Sequence, residues 1–254
     1  MRRQISVVTD SYPAIPGLDT TLARAILQSV SAGSLGETFR IYSPGRVMAF
    51  GKRDAVTAGF ADAAIAARSH GYVPLVRLAG GRAAVFHEGT LAFGWTMPIT
   101  SPRSEIQERF EALSELMVRV FARLGVASAV GEIPGEYCPG RFSVHHSGNQ
   151  KVMGVGQRLA QNAAHVGGVI VVGGADAINE VLLPVYAALG VGFEPAATGA
   201  LSDLVPDLTM AHVVAAVVAE LEALGEVSVA TLSSAMVQQG RDMLPDHLIE
   251  PSGE

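Results

Sequence analysis

Apolar and polar residues recur along the chain in short blocks, and the spacing within each block predicts an element. Leu22, Ala25, Ile26, Ser29 and Val30 fall at helical spacing behind a cap at Asp19 or Thr20, with a stop near Gly33. Ile106, Phe110, Leu113, Met117, Val120 and Leu124 mark the clearest helix. Ser101 is its expected cap, Pro102 sits in its first turn and Gly125 ends it. Residues 210–224 form a last strong helix whose apolar face (Val213, Val214, Val217, Val218, Leu221) reads as core. Residues 55–68 and 175–189 are further predicted helices, the second interrupted by Pro184. Strands are expected at 39–42, 47–50, 72–78, 91–97, 151–155 and 166–172. Residues 1–17 and 131–150 read as irregular, and the polar tail from Gln238 reads as frayed.

The strands come in clusters and do not alternate strictly with helices. That order favours an α+β fold, a mixed and mostly antiparallel sheet packed by helices, over a doubly wound parallel sheet. Residues 199–206 set the last strong helix apart. This gives an expected main domain over 1–200 and a small helical C-terminal extension over 201–254 packed on it.

Composition narrows the function classes. A chain of 254 residues buries a core without disulfides or structural metal. It is 49% hydrophobic, yet no apolar run approaches the ~18 residues of a spanning helix, so no membrane role is expected. Met1-Arg2-Arg3 has no apolar stretch behind it, so no secretory signal is expected. The single cysteine, Cys138, suits a reducing cytoplasm. A net charge of −6, with 18 scattered basic residues, disfavours nucleic acid. The seven histidines form no metal-ligand spacing, so no metal site is expected. Gly154-Val155-Gly156 lacks the third glycine and the following acidic residue of a dinucleotide loop. No Gly-x-Ser-x-Gly elbow occurs.

Two constellations carry chemistry. The first runs Arg77-Leu78-Ala79-Gly80-Gly81-Arg82-Ala83-Ala84-Val85-Phe86-His87. Adjacent glycines after a strand permit backbone geometry and close ligand approach that a Cβ forbids. The flanking arginines suit a carboxylate, thioester or phosphate. A tight glycine hairpin with exposed arginines is the plain alternative. The second runs Glu136-Tyr137-Cys138-Pro139-Gly140 and then Gln150-Lys151-Val152-Met153-Gly154-Val155-Gly156-Gln157-Arg158. A cysteine in a Pro/Gly loop near a lysine suits an activated thiolate, and the lysine suits an oxyanion. A buried cysteine and a solvated lysine are the alternative.

The first stretch, continued by Glu88-Gly89-Thr90-Leu91, resembles the signature of the lipoate–protein ligase, octanoyltransferase and biotin–protein ligase superfamily. Ligases of that family usually carry three successive glycines. Gly80-Gly81-Arg82, with the Cys-Pro-Gly and Lys-x-x-Gly-x-x-Gln-Arg segments, is more similar to the cysteine-type octanoyltransferases. The resemblance covers about residues 18–225. It implies a fold like biotin synthetases and the core of class II aminoacyl-tRNA synthetases. It implies Cys138 and Lys151 as catalytic residues. Arg77, Gly80, Gly81, Arg82, His87, Gly154, Gly156 and Gln157 are implied at the acyl group. It further implies acyl transfer through a Cys138 thioester to the lysine of a lipoyl domain, without a cofactor. The implied partners are lipoyl domains of 2-oxoacid dehydrogenase complexes or the glycine cleavage H protein, and acyl carrier protein as a possible donor. Two alternatives stay open: an ATP- and Mg-dependent lipoate ligase forming lipoyl-AMP, and a non-catalytic binder of lipoate or a lipoyl domain. His145 and His146 have no family counterpart and read as turn residues.

Overall fold

The computed structural model describes residues 2–101 and 105–250. In chain order the elements are β1 (Gln4–Val8), α1 (Leu18–Ser31), β2 (Thr38–Tyr42), β3 (Val47–Phe50), α2 (Phe60–Ser69), β4 (Val73–Val76), β5 (Ala84–Phe86) and β6 (Thr90–Pro98). There follow α3 (Ile106–Arg123), β7 (Ala129–Val130), β8 (Val144–His146), β9 (Gln150–Leu159), β10 (Ala163–Val171) and α4 (Ala175–Ala188). The chain continues with α5 (Leu201–Leu204), α6 (Met210–Leu224), β11 (Glu226–Ala230) and α7 (Ser234–Asp242).

Eight strands form one mixed sheet in the order β11-β1-β2-β6-β10-β9-β8-β7, and three form a smaller one, β4-β3-β5. In the large sheet β1 runs parallel to β2 and β11, and the remaining pairs are antiparallel. This is the expected α+β class. The predicted neighbours at 39–42 and 47–50 do not form a hairpin with each other. β2 joins the large sheet and β3 the small one, so residues 43–46 cross between the two sheets.

One core lies against the large sheet. Phe39, Phe93 and Trp95 pack there with Leu113, Leu116, Met117, Val120 and Phe121 of α3 and with Val213, Val217 and Leu221 of α6. The 3.6-residue period of α3 and α6 therefore points inward, as their patterns predict. A second core joins the small sheet to α2 and α4 through Met48, Phe50, Ala63, Ala67, Val85, Ile178, Val181, Leu182, Val185 and Tyr186.

Four expectations fail for identifiable reasons. Residues 4–8 are a strand, because Ile5 and Val7 are buried while the backbone pairs on both edges with distant segments. α1 begins at Leu18 from Gly17 in the left-handed region; Asp19 does not cap it and forms a buried ion pair with Arg40. α3 begins at Ile106, so Ser101 precedes it, and Pro102 lies outside the described residues. The tail from Gln238 is packed: α7 lies on α1, and Leu248 bridges Leu75 at the edge of the small sheet.

Candidate active site

Two loops and one strand converge where the sheets meet. Residues 77–83 connect β4 to β5, residues 131–143 connect β7 to β8, and β9 runs beneath them. Cys138 sits in the second loop with φ +44°, a left-handed conformation uncommon for a residue with a Cβ and costing roughly 1–3 kcal/mol. The surrounding bonds hold it there. Its N–H donates to the Tyr186 hydroxyl at 2.7 Å, and its carbonyl accepts from Lys151 Nζ at 2.8 Å.

The thiol meets two donors. Arg77 Nη2 and the Arg82 backbone N–H both lie 3.2 Å from Cys138 Sγ. Burial alone would push this thiol up. The charges of Arg77 and Lys151, with the two hydrogen bonds, outweigh burial and hold it below the ordinary cysteine value. Gly81 makes the contact possible. It has φ +106°, and a Cβ there would stand 2.2 Å from Arg77 Nη2 and 2.8 Å from Cys138 Sγ. Gly51 supports it from behind, since a Cβ at that position would fall 1.8 Å from the Gly81 carbonyl oxygen.

Lys151 lies on β9 and is 1% exposed. Its ammonium donates to the carbonyls of Tyr137 (2.9 Å) and Cys138 (2.8 Å) and to Glu136 Oε1 (3.4 Å). Burial drives its pKa down, against the opposing pull of Cys138 and Glu136. Glu136 Oε1 also accepts from Gly140 N–H and Ser143 Oγ, each at 2.8 Å. A buried lysine and glutamate thus pin the cysteine loop from below, and the lysine's positive charge lies beside the thiol.

A cavity of about 350 Å³ opens over Sγ. Gly80, Gly81, Cys138, Gly156 and Gln157 line it, with apolar walls from Ile106, Phe110, Val155 and Leu159. A Cβ at Gly156 would crowd Ala79 Cβ at 3.1 Å and Gly80 O at 3.2 Å. Gln157 is held by the Arg109 Nε donor at 3.0 Å and by its own bond to the Ile106 carbonyl. A smaller cavity is lined by Arg77, Leu78 and Ala79 of the glycine loop with Phe93 and His165. His165 bonds Thr96 at 2.9 Å, and burial lowers its pKa to about 4, so the imidazole is neutral at pH 7.

Among the residues singled out from sequence, Cys138, Lys151, Arg77, Gly80, Gly81, Gly156 and Gln157 come together here. Gly154 lies against the Lys151 stem, with a would-be Cβ 3.2 Å from Cε. Arg82 contributes its backbone N–H, while its guanidinium turns to the fully buried Asp54 at 3.1 Å. His87 is elsewhere: its Nδ1 accepts from Gly89 N–H at 3.0 Å, its ring packs on Gly174, and it lines neither cavity. His145 Nδ1 accepts from Gly148 N–H in the β8–β9 turn, and His146 Nδ1 bonds the Ala127 carbonyl just before β7. Sequence reasoning missed Glu136, Tyr186, Asp54 and His165. Only Glu136 carried a signal, its place two residues before the cysteine.

The chain is similar to known proteins in sequence and in fold. The chain is 29% identical over 166 residues to the octanoyl-[GcvH]:protein N-octanoyltransferase of Geobacillus kaustophilus, covering 65% of this chain and 58% of that protein. It is 29% identical over 136 residues to the enzyme of the same name from Exiguobacterium sibiricum, covering 54% and 49%. The chain thus spans about half the length of these curated relatives. Its fold is similar to that of a putative lipoate protein ligase from T. acidophilum with bound lipoic acid, with a TM-score of 0.76, 17% identity and coverage of 97% and 96%. It is also similar to a lipoate-protein ligase A bound with ATP, at 0.74, 16%, 96% and 95%. The model of the lipoyl protein ligase A/B catalytic domain matches residues 17–222, most of the chain, and the protein belongs to that family.

Proposed function

We propose that this protein transfers a medium-chain acyl group, octanoyl or lipoyl, to the lysine of a lipoyl-type domain through a thioester on Cys138. The seating of Sγ between Arg77 and the Arg82 N–H carries this reading, because it favours the thiolate that the reaction needs. The cavity over Sγ has apolar walls and lies at the small end of the ~300–1,000 Å³ range of ligand sites, which suits an acyl chain.

In the first half-reaction the thiolate attacks the donor carbonyl carbon and forms the C–S bond. The bond from that carbon to the donor's nitrogen or sulfur breaks, and the leaving group takes up a proton. In the second, the neutral amine of an acceptor lysine attacks the thioester. It loses a proton, the C–S bond breaks and the thiolate is regenerated. Arg77 and the Arg82 N–H, already 3.2 Å from Sγ, are the donors for the oxyanion. Lys151 acts through its charge and by fixing the loop, since its ammonium is engaged by three acceptors. His87 has no part in this scheme.

The acceptor is a lipoyl domain or glycine cleavage H protein, and the donor a second such domain or an acyl carrier protein. The names of the similar transferases specify GcvH. The scheme requires neither nucleotide nor metal. The rival is ATP-dependent ligation through lipoyl-AMP, supported by the fold likeness to lipoate ligases. The intact mass of an apo lipoyl domain separates the two. It is measured after incubation with an octanoylated donor protein without ATP, and with free octanoate and Mg-ATP. Acylation from the protein donor alone is expected; acylation only with ATP would establish the ligase instead.

A further inference from the structure

The nucleophile loop and the glycine loop are far apart in sequence, and the site works only if they stay in register. Sγ belongs to one loop, and its two donors, Arg77 and the Arg82 N–H, belong to the other. Tyr186 of α4, 2% exposed, bonds the backbone of both. Its hydroxyl oxygen accepts from Cys138 N–H at 2.7 Å, and its proton goes to the Ala83 carbonyl at 3.0 Å. Phe193 meets the ring edge-on at 5.1 Å and fixes its orientation. Burial raises the pKa of Tyr186 far above the usual phenol value, so the proton it gives Ala83 stays in place. The bond to Cys138 N–H falls on the one residue of residues 131–143 with a side chain and positive φ, where the backbone most needs a constraint.

We infer that Tyr186 is a positioning residue whose hydroxyl clamps the Cys138 loop to the glycine loop and so keeps Sγ seated between Arg77 and the Arg82 N–H. Its side chain does not line the cavity over Sγ. The clamp also has a chemical consequence. With its N–H committed to Tyr186, Cys138 does not use its own amide as an oxyanion donor, and that task stays with the glycine loop.

This inference rests on Cys138 being the nucleophile, and the test separates the two ideas. Tyr186→Phe keeps the ring and removes the hydroxyl. The rate of Cys138 alkylation by iodoacetamide is followed against pH, which reads the thiol whether or not acyl transfer occurs. In Tyr186→Phe the midpoint is expected to move up toward that of free cysteine, with kcat/KM for acyl transfer falling about 10- to 100-fold. Tyr72→Phe removes a hydroxyl from the same core, away from the site, and is expected to leave the midpoint in place. Amide exchange at Cys138 gives a second reading that needs no variant to fold. The N–H is expected to be protected in the wild-type protein. An unshifted midpoint with unchanged kcat/KM, or a freely exchanging Cys138 N–H in the wild type, would overturn the clamp. Full activity in Cys138→Ala would overturn the nucleophile instead, and the alkylation profile of Tyr186→Phe would still judge the clamp.

Discussion

The core behind the large sheet and the junction beneath Cys138 are both buried, but they are held by opposite means. In the first, Leu113, Leu116, Met117, Val120 and Phe121 of α3 pack on Phe39, Phe93 and Trp95, and the contacts are apolar and interchangeable in kind. In the second, Lys151 and Glu136 are no more exposed than core residues, and their polar atoms are aimed at particular partners. Apolar packing tolerates a lost methyl group at a graded cost. A buried charge pair tolerates little, because removing one partner strands the other. The first region holds the scaffold, and the second holds a reactive thiol in place.

The largest effect is expected at the thiol. Cys138→Ala should lower acyl transfer at least about 10³-fold with little change in Tm, since the nucleophile is lost and the loop bonds are made by its backbone. Transfer assays beside thermal melts check this. Gly81→Ala comes next. The new Cβ must displace Arg77 or Sγ in a backbone with φ +106°, so kcat/KM should fall by about 10²-fold.

A pair of stability measurements distinguishes the two regions. Lys151→Met leaves the buried Glu136 carboxyl without its ammonium partner and should cost about 3–5 kcal/mol in urea unfolding. Adding Glu136→Gln should restore part of that loss. Leu116→Ala, in the apolar core, should cost about 2–5 kcal/mol and leave the pH profile of Cys138 alkylation unchanged. If Lys151→Met were neutral, the junction would be no more exacting than the core.

A smaller effect belongs to His165. The unfolded imidazole protonates near 6.5 and the folded one near 4, so the unfolded chain takes up the proton first. Stability at neutral pH should therefore fall as pH drops from 6.5 to 4, by on the order of 3 kcal/mol from this group. His165→Asn should flatten that part of the urea-midpoint curve.

The two regions also differ in how far the sequence discloses them. α3 and α6 follow from a 3.6-residue period that local burial enforces. Cys138, Lys151 and the Gly80-Gly81 pair stood out because their residue types in those settings suggest chemistry. Their supports did not. Tyr186 and Asp54 act through partners distant in the chain, and nothing local distinguishes them from ordinary core residues. Arg82 shows the same limit: its sequence position suggested a guanidinium at the ligand, but buried Asp54 claims the side chain and leaves the backbone N–H for the thiol. β1 escaped notice because both of its partners, β2 and β11, lie beyond its own neighbourhood in the chain.

The thioester on Cys138 is read most directly from the intact mass of the protein itself after brief incubation with an octanoylated lipoyl-type domain, without ATP and without acceptor. A gain of one octanoyl group is expected, located on Cys138 and released by hydroxylamine and by an added acceptor domain. Transfer that proceeds at an undiminished rate with no acyl adduct on Cys138 would contradict the thioester.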